Sequence, residues 1–282
     1  MGKGMSLERQ ALEHLGKNWG KSSLTREKLL SGTKLFAGFV DKTFHLERLD
    51  NLKPGMITAY VATMKAGGLE PSTMAGRMTA VRAVCKAVGK QGICAKHNAA
   101  YGIERVRVNP QPINHDIIDK IRTELQDRAG AGDRIARMMT TAEALRQEFG
   151  LRAKESLMTK DLVEKNGKLY LVVEGSKGGK PRELEVRTAG QLKAVQLVAA
   201  TSAALGSGTS RIIPPEMSLK QAYNAQRNEW RALGGTRQNN GNMHAERHGH
   251  ARTMKAEGAT NAQIMEELGH GESRSPAAYI PR

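Results

Sequence analysis

The chain has 282 residues, a length that suggests two domains, and 39 % of them are hydrophobic, enough for a sizeable core. Its 44 Lys and Arg against 28 Asp and Glu leave a net charge of +16, which favours a polyanionic partner, most simply nucleic acid. Aromatic residues are only 4 %, too few for a single-strand binder built on stacked bases, so duplex DNA gripped through its phosphates fits best. No apolar run approaches the length of a membrane span, and the first residues lack the apolar stretch of a signal peptide. Cys85 and Cys94 make neither a metal-ligand spacing nor a disulfide framework. The expectation is a reduced, cytoplasmic, nucleoid-associated protein with no membrane partner.

In chain order, residues 6–17 read as a short amphipathic helix with Leu7, Ala11, Leu12 and Leu15 on one side. Thr25 is placed to cap the next helix, which carries Leu29, Leu30, Leu35, Phe36, Phe39 and Val40. Ile57, Tyr60, Val61 and Met64 fall at i, i+3, i+4 and i+7, and that helix stops at Gly67-Gly68. Pro71 opens another, with Met74, Met78, Val81, Val84 and Cys85 inward and Gly89 as its stop. This predicts a helical domain over residues 1–108, with Lys65, Arg77, Arg82 and Lys86 as basic candidates for DNA contact. The same bases also suit the solvated faces of a generic bundle.

Pro110 and Pro112, in a polar stretch, read as a linker over 109–115. Arg105 and Arg107 lie just before it and are further candidates for DNA contact; a basic linker lets two domains close on a duplex like a clamp. The second domain, 116–282, begins with helices over 117–128 and 135–149, separated by Gly130-Ala131-Gly132. Gly150-Leu151-Arg152 follows, with Glu155 three places on; by itself this pair is an ordinary helical ion pair of ~0.2–0.5 kcal/mol. Strands are expected around 161–163, 169–174 and 183–186. The last two form a β-hairpin with Lys177 in its tip. Gly-Ser-Lys-Gly-Gly-Lys is not a P-loop, because Glu174 occupies the first-glycine position and Pro181 follows Lys180. Helices over 188–205 and 219–233 precede a polar segment, 234–242, read as a mobile loop. The fold class is mainly α with a small β-hairpin or sheet (α+β).

The last forty residues carry the densest chemistry. His244 and Arg247 are three apart, so a helix places them on one face. Leu268-Gly269-His270 comes after a further helical segment, and Tyr279 stands nine places beyond His270. A solvated His/Arg face is one reading of the first cluster. Zinc on His244 and His248 is another, but the zinc-protease pattern puts Glu second where Glu246 stands third. A phosphoryl-transfer site is the remaining reading. A tyrosine hydroxyl, with a pKa of about 10, needs cations on the phosphate before it attacks. Arginine suits that task because its planar fork binds phosphate bidentately and stays charged.

Taken in order, Arg152, Lys177, His244, Arg247, His270 and Tyr279 resemble the active-site set of the tyrosine recombinases, the phage integrase family. The likeness runs over residues 30–282 and is most specific in the C-terminal half. The run Leu69-Glu-Pro-Ser-Thr-Met-Ala-Gly-Arg-Met-Thr-Ala-Val-Arg is similar to the family's core-binding domain. The resemblance implies that Tyr279 attacks the scissile phosphate to give a 3′-phosphotyrosyl link. It assigns Arg152 and Arg247 to the non-bridging oxygens and Lys177, with Lys180 as the alternative, to protonation of the leaving 5′-oxygen. It gives His244 and His270 hydrogen bonds to the phosphate, and Glu155 the role of orienting its neighbours. It implies no cofactor and no metal. The implied partners are duplex DNA with specific recombination sites, a homotetramer on paired sites, and accessory DNA-bending or directionality proteins. A non-catalytic DNA binder on the same scaffold and a type IB topoisomerase are the alternatives. Glu246 and Gly249 lie where the family is usually more apolar, and an acid beside Arg247 weakens phosphate binding unless it points away. Three residues, Ile280-Pro281-Arg282, follow Tyr279, where many members of the family carry a helix that docks on a neighbouring protomer.

Overall fold

A computed structural model describes residues 5–16, 23–104, 112–175, 181–208 and 210–269. The chain divides into two compact units, Met1–Arg107 and Val108–Arg282. It is mainly helical, with one small antiparallel sheet.

The first unit holds α1 (Leu7–Leu15), α2 (Ser23–Phe44), α3 (Pro54–Ala66) and α4 (Pro71–Ala87). The Ser6 hydroxyl caps α1 by accepting from the Arg9 amide. Proline opens both α3 and α4, where its missing N–H costs nothing. α2 starts at Ser23, so Thr25 lies in its first turn instead of capping it. Phe36, Val40, Ile57, Val61, Met78 and Val81 form the core, and the free thiols of Cys85 and Cys94 are buried in it.

The second unit holds α5 (His115–Gly130), α6 (Arg134–Phe149), β1 (Thr159–Lys165), β2 (Lys168–Val173), β3 (Arg182–Glu185), α7 (Ala189–Leu205), α8 (Leu219–Ala232), α9 (Ala245–Ala256) and α10 (Asn261–Glu267). Asn114 and Asp133 cap α5 and α6. Capping boxes, Thr188 with Gln191, Ser218 with Gln221 and Thr260 with Gln263, start α7, α8 and α10. Ile113 packs on this unit's core and His115 opens α5, so at these residues the chain already belongs to the second unit. Phe149, Leu145, Ile121, Leu125 and Trp230 lie at the centre of that core.

The strands run β1-β2-β3, each antiparallel to the next, with a bulge in β1 between Thr159 and Leu162. Leu171 faces Leu184 and Val173 faces Arg182 across β2 and β3. Leu171, Val173 and Leu184 point inward, and period-two alternation puts Arg182 on the same inward side as Leu184. The hairpin tip that carries Lys177 and Lys180 lies outside the described residues.

The polar segment 234–242 differs from its expected looseness. The Asn239 side chain donates to the Gly234 carbonyl and accepts from the Thr236 and Gly241 amides. The Trp230 indole donates to the Gly241 carbonyl at 2.8 Å. A side-chain amide has replaced missing backbone partners, as Asn does in turns. The segment therefore holds α9 at a fixed start.

Candidate active site

The residues of the second unit converge on Glu155, whose side chain is fully buried. Arg152 leaves the end of α6 after the left-handed Gly150, and its guanidinium donates to Glu155 Oε1 at 2.5 Å while its amide donates to Oε2 at 3.1 Å. Arg182 reaches in from β3 and donates to Oε2 at 3.1 Å. Arg247, from the first turn of α9, brings Nη1 to 3.9 Å of the same oxygen. Three guanidiniums thus share one carboxylate, and the cluster keeps an excess of positive charge. Arg152 retains 24 % side-chain exposure, Arg182 8 % and Arg247 none.

Burial works to raise the Glu155 carboxyl, but the charge of Arg182, then the amide and charge of Arg152, outweigh it and hold the group down at about 2. Glu155 is therefore ionised at neutral pH, which lets it orient its cations.

Arg247 also donates to two backbone carbonyls, Gly150 at 2.7 Å and Leu268 at 2.5 Å. A guanidinium has five N–H donors, so one side chain can serve two carbonyls and still face a carboxylate. These bonds join three distant motifs: the Gly-Leu-Arg turn, the His-x-x-Arg helix and the Leu-Gly-His turn. Both motif glycines are required. Gly150 has φ +60, and a Cβ there would lie 2.6 Å from a His250 ring carbon. Gly269 also has φ +60, and a Cβ would lie 2.6 Å from Arg182 Nη1.

His244 occupies the N-cap position of α9 and is exposed, while Arg247 points inward. The rings of His244 and His248 stand edge to face at 5.0 Å. Among the described residues, no group of three or more His, Cys, Asp or Glu is arranged to hold a metal. His270 and Tyr279 lie outside the described residues.

Glu246 points away from Arg247, because adjacent helical residues do not share a face. It accepts from Arg122 at 2.9 Å and from Arg146 at 3.1 Å, and Arg122 also binds Glu143 at 2.5 Å. Arg146 lies 4.9 Å from the centroid of the Trp230 ring. Burial, then the neighbouring Glu143 charge, raises Glu246 well above the usual carboxylate range, against Arg146 and Arg122. The acid that the sequence places beside the site thus belongs to a separate buried network.

His248 is buried, and burial, then the charges of Arg252 and Arg247, push it down to about 4. An unfolded histidine has a pKa of about 6.5, so the unfolded chain binds the proton more readily. The neutral form stabilises the fold fully above pH ~6.5, and that contribution is lost as pH falls towards 4. The raised Glu246 acts with the opposite sign above pH ~4.5, and the loss from Glu155 falls between its unfolded value of ~4.5 and its folded value. Comparing melting of His248→Gln with the parent chain at pH 7, 5.5 and 4.5 isolates the histidine. The variant is expected to show the shallower fall.

In the first unit, Lys65 and Lys86 are exposed in the last turns of α3 and α4, and Arg77 is half-buried on α4. Arg82 donates instead to the Ala95 carbonyl at 2.8 Å and to Asn98 at 2.7 Å, tying α4 to the chain beyond it. Arg105 and Arg107 lie outside the described residues.

The sequence reading missed Arg182. Its available signal was a charged residue at an inward position of an alternating strand, where arginine is rare without a partner.

Comparison with known proteins adds to this geometry. A family profile described as Integrase matches residues 112–253, half of the chain, and one described as Phage integrase, N-terminal matches residues 5–94. The first takes in Arg152, Lys177, His244 and Arg247 and stops before His270 and Tyr279. No curated protein matches the chain in sequence. Among solved structures, the fold is similar to a lambda integrase tetramer bound to a Holliday junction, with TM-score 0.69, 17 % identity and coverage of 100 % of this chain and 80 % of that one. It is similar to the XerH site-specific recombinase in a pre-cleavage complex with difH, at TM-score 0.65, 17 % identity and 92 % and 76 % coverage. The Tn1549 transposon integrase in complex with transposon right end DNA gives TM-score 0.59, 13 % identity and 99 % and 95 % coverage. At these identities the likeness is one of fold.

Proposed function

Because this chain belongs to the phage integrase family of tyrosine recombinases, we propose that it is a site-specific recombinase. It cleaves and rejoins duplex DNA through a 3′-phosphotyrosyl intermediate and so integrates or excises a mobile element. The observation that carries this reading is that Arg152 and Arg247, from two distant motifs, meet at the buried Glu155 carboxylate, a preorganised cationic cluster whose charge complements a phosphodiester.

In the proposed reaction the Tyr279 oxygen attacks the scissile phosphorus, forming the Tyr–O–P bond as the bond to the 5′-oxygen breaks. Arg152 and Arg247 stabilise the charge on the non-bridging oxygens, and Glu155 keeps Arg152 in place. Lys177, or Lys180, gives a proton to the leaving 5′-oxygen. His244 and His270 bond the phosphate and take the tyrosine proton. The phosphotyrosyl link conserves the energy of the broken bond, so rejoining needs neither nucleotide nor metal. Exchange between duplexes uses four protomers on paired sites, in the manner of the lambda integrase tetramer.

Binding is expected to weaken about 10³-fold between 50 and 200 mM salt, because the basic faces release counterions from phosphates. A titration at several salt concentrations checks this, and an affinity indifferent to salt would count against phosphate contact by the basic faces.

The test of the function is strand exchange between two labelled duplexes bearing candidate attachment sites, run in EDTA. Recombinant product supports the proposal. Relaxation of any supercoiled plasmid without exchange would favour a topoisomerase, and tight binding without cleavage a non-catalytic binder.

A further inference from the structure

We infer that Arg182 is a positioning residue that locks the start of β3 to Glu155 and to the C-terminal turn of α10, and thereby fixes the two points, Arg182 and Gly269, that adjoin in sequence the stretches carrying Lys177 and Tyr279. This rests on the recombinase reading above for its catalytic consequence, though not for its structural one.

The geometry of Arg182 is that of a knot. Its Nε donates to the Glu267 carbonyl at 2.8 Å and its Nη2 to Glu155 Oε2 at 3.1 Å. Arg247 holds the very next carbonyl, that of Leu268. Two successive carbonyls at the end of α10, where a helix leaves its acceptors unmet, are therefore capped by two guanidiniums that converge on one carboxylate. The Arg182 guanidinium is packed so closely on Gly269 that a Cβ there would meet Nη1 at 2.6 Å. Gly269 immediately precedes His270, and the chain runs from there to Tyr279. At its other end Arg182 opens β3, five positions after Lys177.

Among the described residues, the buried Nη1 of Arg182 has no hydrogen-bond partner. An apolar side chain would follow the inward pattern of Leu184 but would leave the buried Glu155 carboxylate without the cation that does most to hold it ionised. What an apolar residue cannot do is grip Glu155 and the α10 exit together. Lysine supplies one compact charge where arginine supplies a planar fork, so it replaces the pair of bonds only in part.

The experiment uses the full chain and the Arg182→Gln and Arg182→Lys variants on a nicked duplex bearing a candidate site. Affinity, the rate of covalent adduct formation at saturating DNA, melting temperature, and hydrogen exchange over residues 264–269 are measured together. The expected result for Arg182→Gln is unchanged affinity, an adduct rate ~10²-fold lower, and faster exchange confined to the α10 exit, since small misplacements of reacting groups cost about that much. Arg182→Lys is expected to recover part of the rate. An adduct rate equal to the parent's in Arg182→Gln overturns the inference. So does an equal fall of affinity, melting temperature and rate in both variants, which marks a merely structural role. If the parent chain itself forms no adduct, the recombinase reading fails separately. Exchange at residues 264–269 then decides alone: unchanged protection overturns the role of Arg182, and local loss supports it.

Discussion

Tyr279→Phe is expected to abolish the covalent protein–DNA adduct and all strand exchange, while DNA affinity and melting temperature stay close to those of the parent chain. The substitution removes a single oxygen and keeps the ring, so the fold is expected to persist. The oxygen is also the whole of the proposed nucleophile, and no other tyrosine shares its context. Tyr60 is buried in the first unit, Tyr101 is bonded to Cys94 and the Ala95 amide, Tyr170 lies in β2, and Tyr223 packs from α8 against the core. Denaturing gels of labelled nicked duplex, beside a binding titration, measure both halves of the expectation. A Tyr279→Phe chain that still forms adduct would remove the nucleophile assignment and leave the fold assignment intact.

Arg247→Ala is expected to damage both rate and stability, whereas Arg152→Ala should damage chiefly rate. Arg247 is fully buried, serves the Gly150 and Leu268 carbonyls and lies beside Glu155. Its removal leaves two carbonyls and a buried carboxylate with fewer partners, a loss on the order of 3–5 kcal/mol by analogy with broken buried ion pairs. Arg152 keeps part of its side chain in solvent, and Arg182 still holds Glu155 when Arg152 is gone. Either substitution removes a charge from the proposed phosphate site, which costs ~10³-fold or more in rate. Urea unfolding of the two variants, paired with single-turnover adduct rates, separates the effects. Equal stability in both would show that the Arg247 bonds contribute little to the fold.

Much of this architecture is legible in the sequence because helical periodicity and proline starts are local. The spacing of Ile57, Tyr60, Val61 and Met64 gives α3 directly, and the Gly-Leu-Arg and His-x-x-Arg segments both fall where the structure brings Arg152 and Arg247 to one carboxylate. Three capping boxes of the form Ser/Thr-x-x-Gln also stand in the sequence, each an available start signal for α7, α8 or α10. What spacing could not give is what depends on side-chain direction across long separations. Arg182 belongs to no short motif and gains its meaning from residues 27 and 85 positions away. Glu246 reads as a threat to Arg247 until α9 turns it to Arg122 and Arg146, residues of α5 and α6. The ordering of 234–242 by Asn239 was hidden for a similar reason, since polar composition does not distinguish a solvated loop from one that satisfies its own backbone.

Attack on DNA by Tyr279 is the step on which the proposed recombination depends. It is tested most directly by trapping the adduct on a nicked duplex of the attachment site in EDTA, digesting with trypsin and nuclease, and weighing the modified peptide. The expected result is a nucleotide phosphate on the tryptic peptide that begins at Ser275, attached through Tyr279, and none in Tyr279→Phe. A nucleotide on any other residue, or specific binding to the same duplex with no adduct at all, would contradict it.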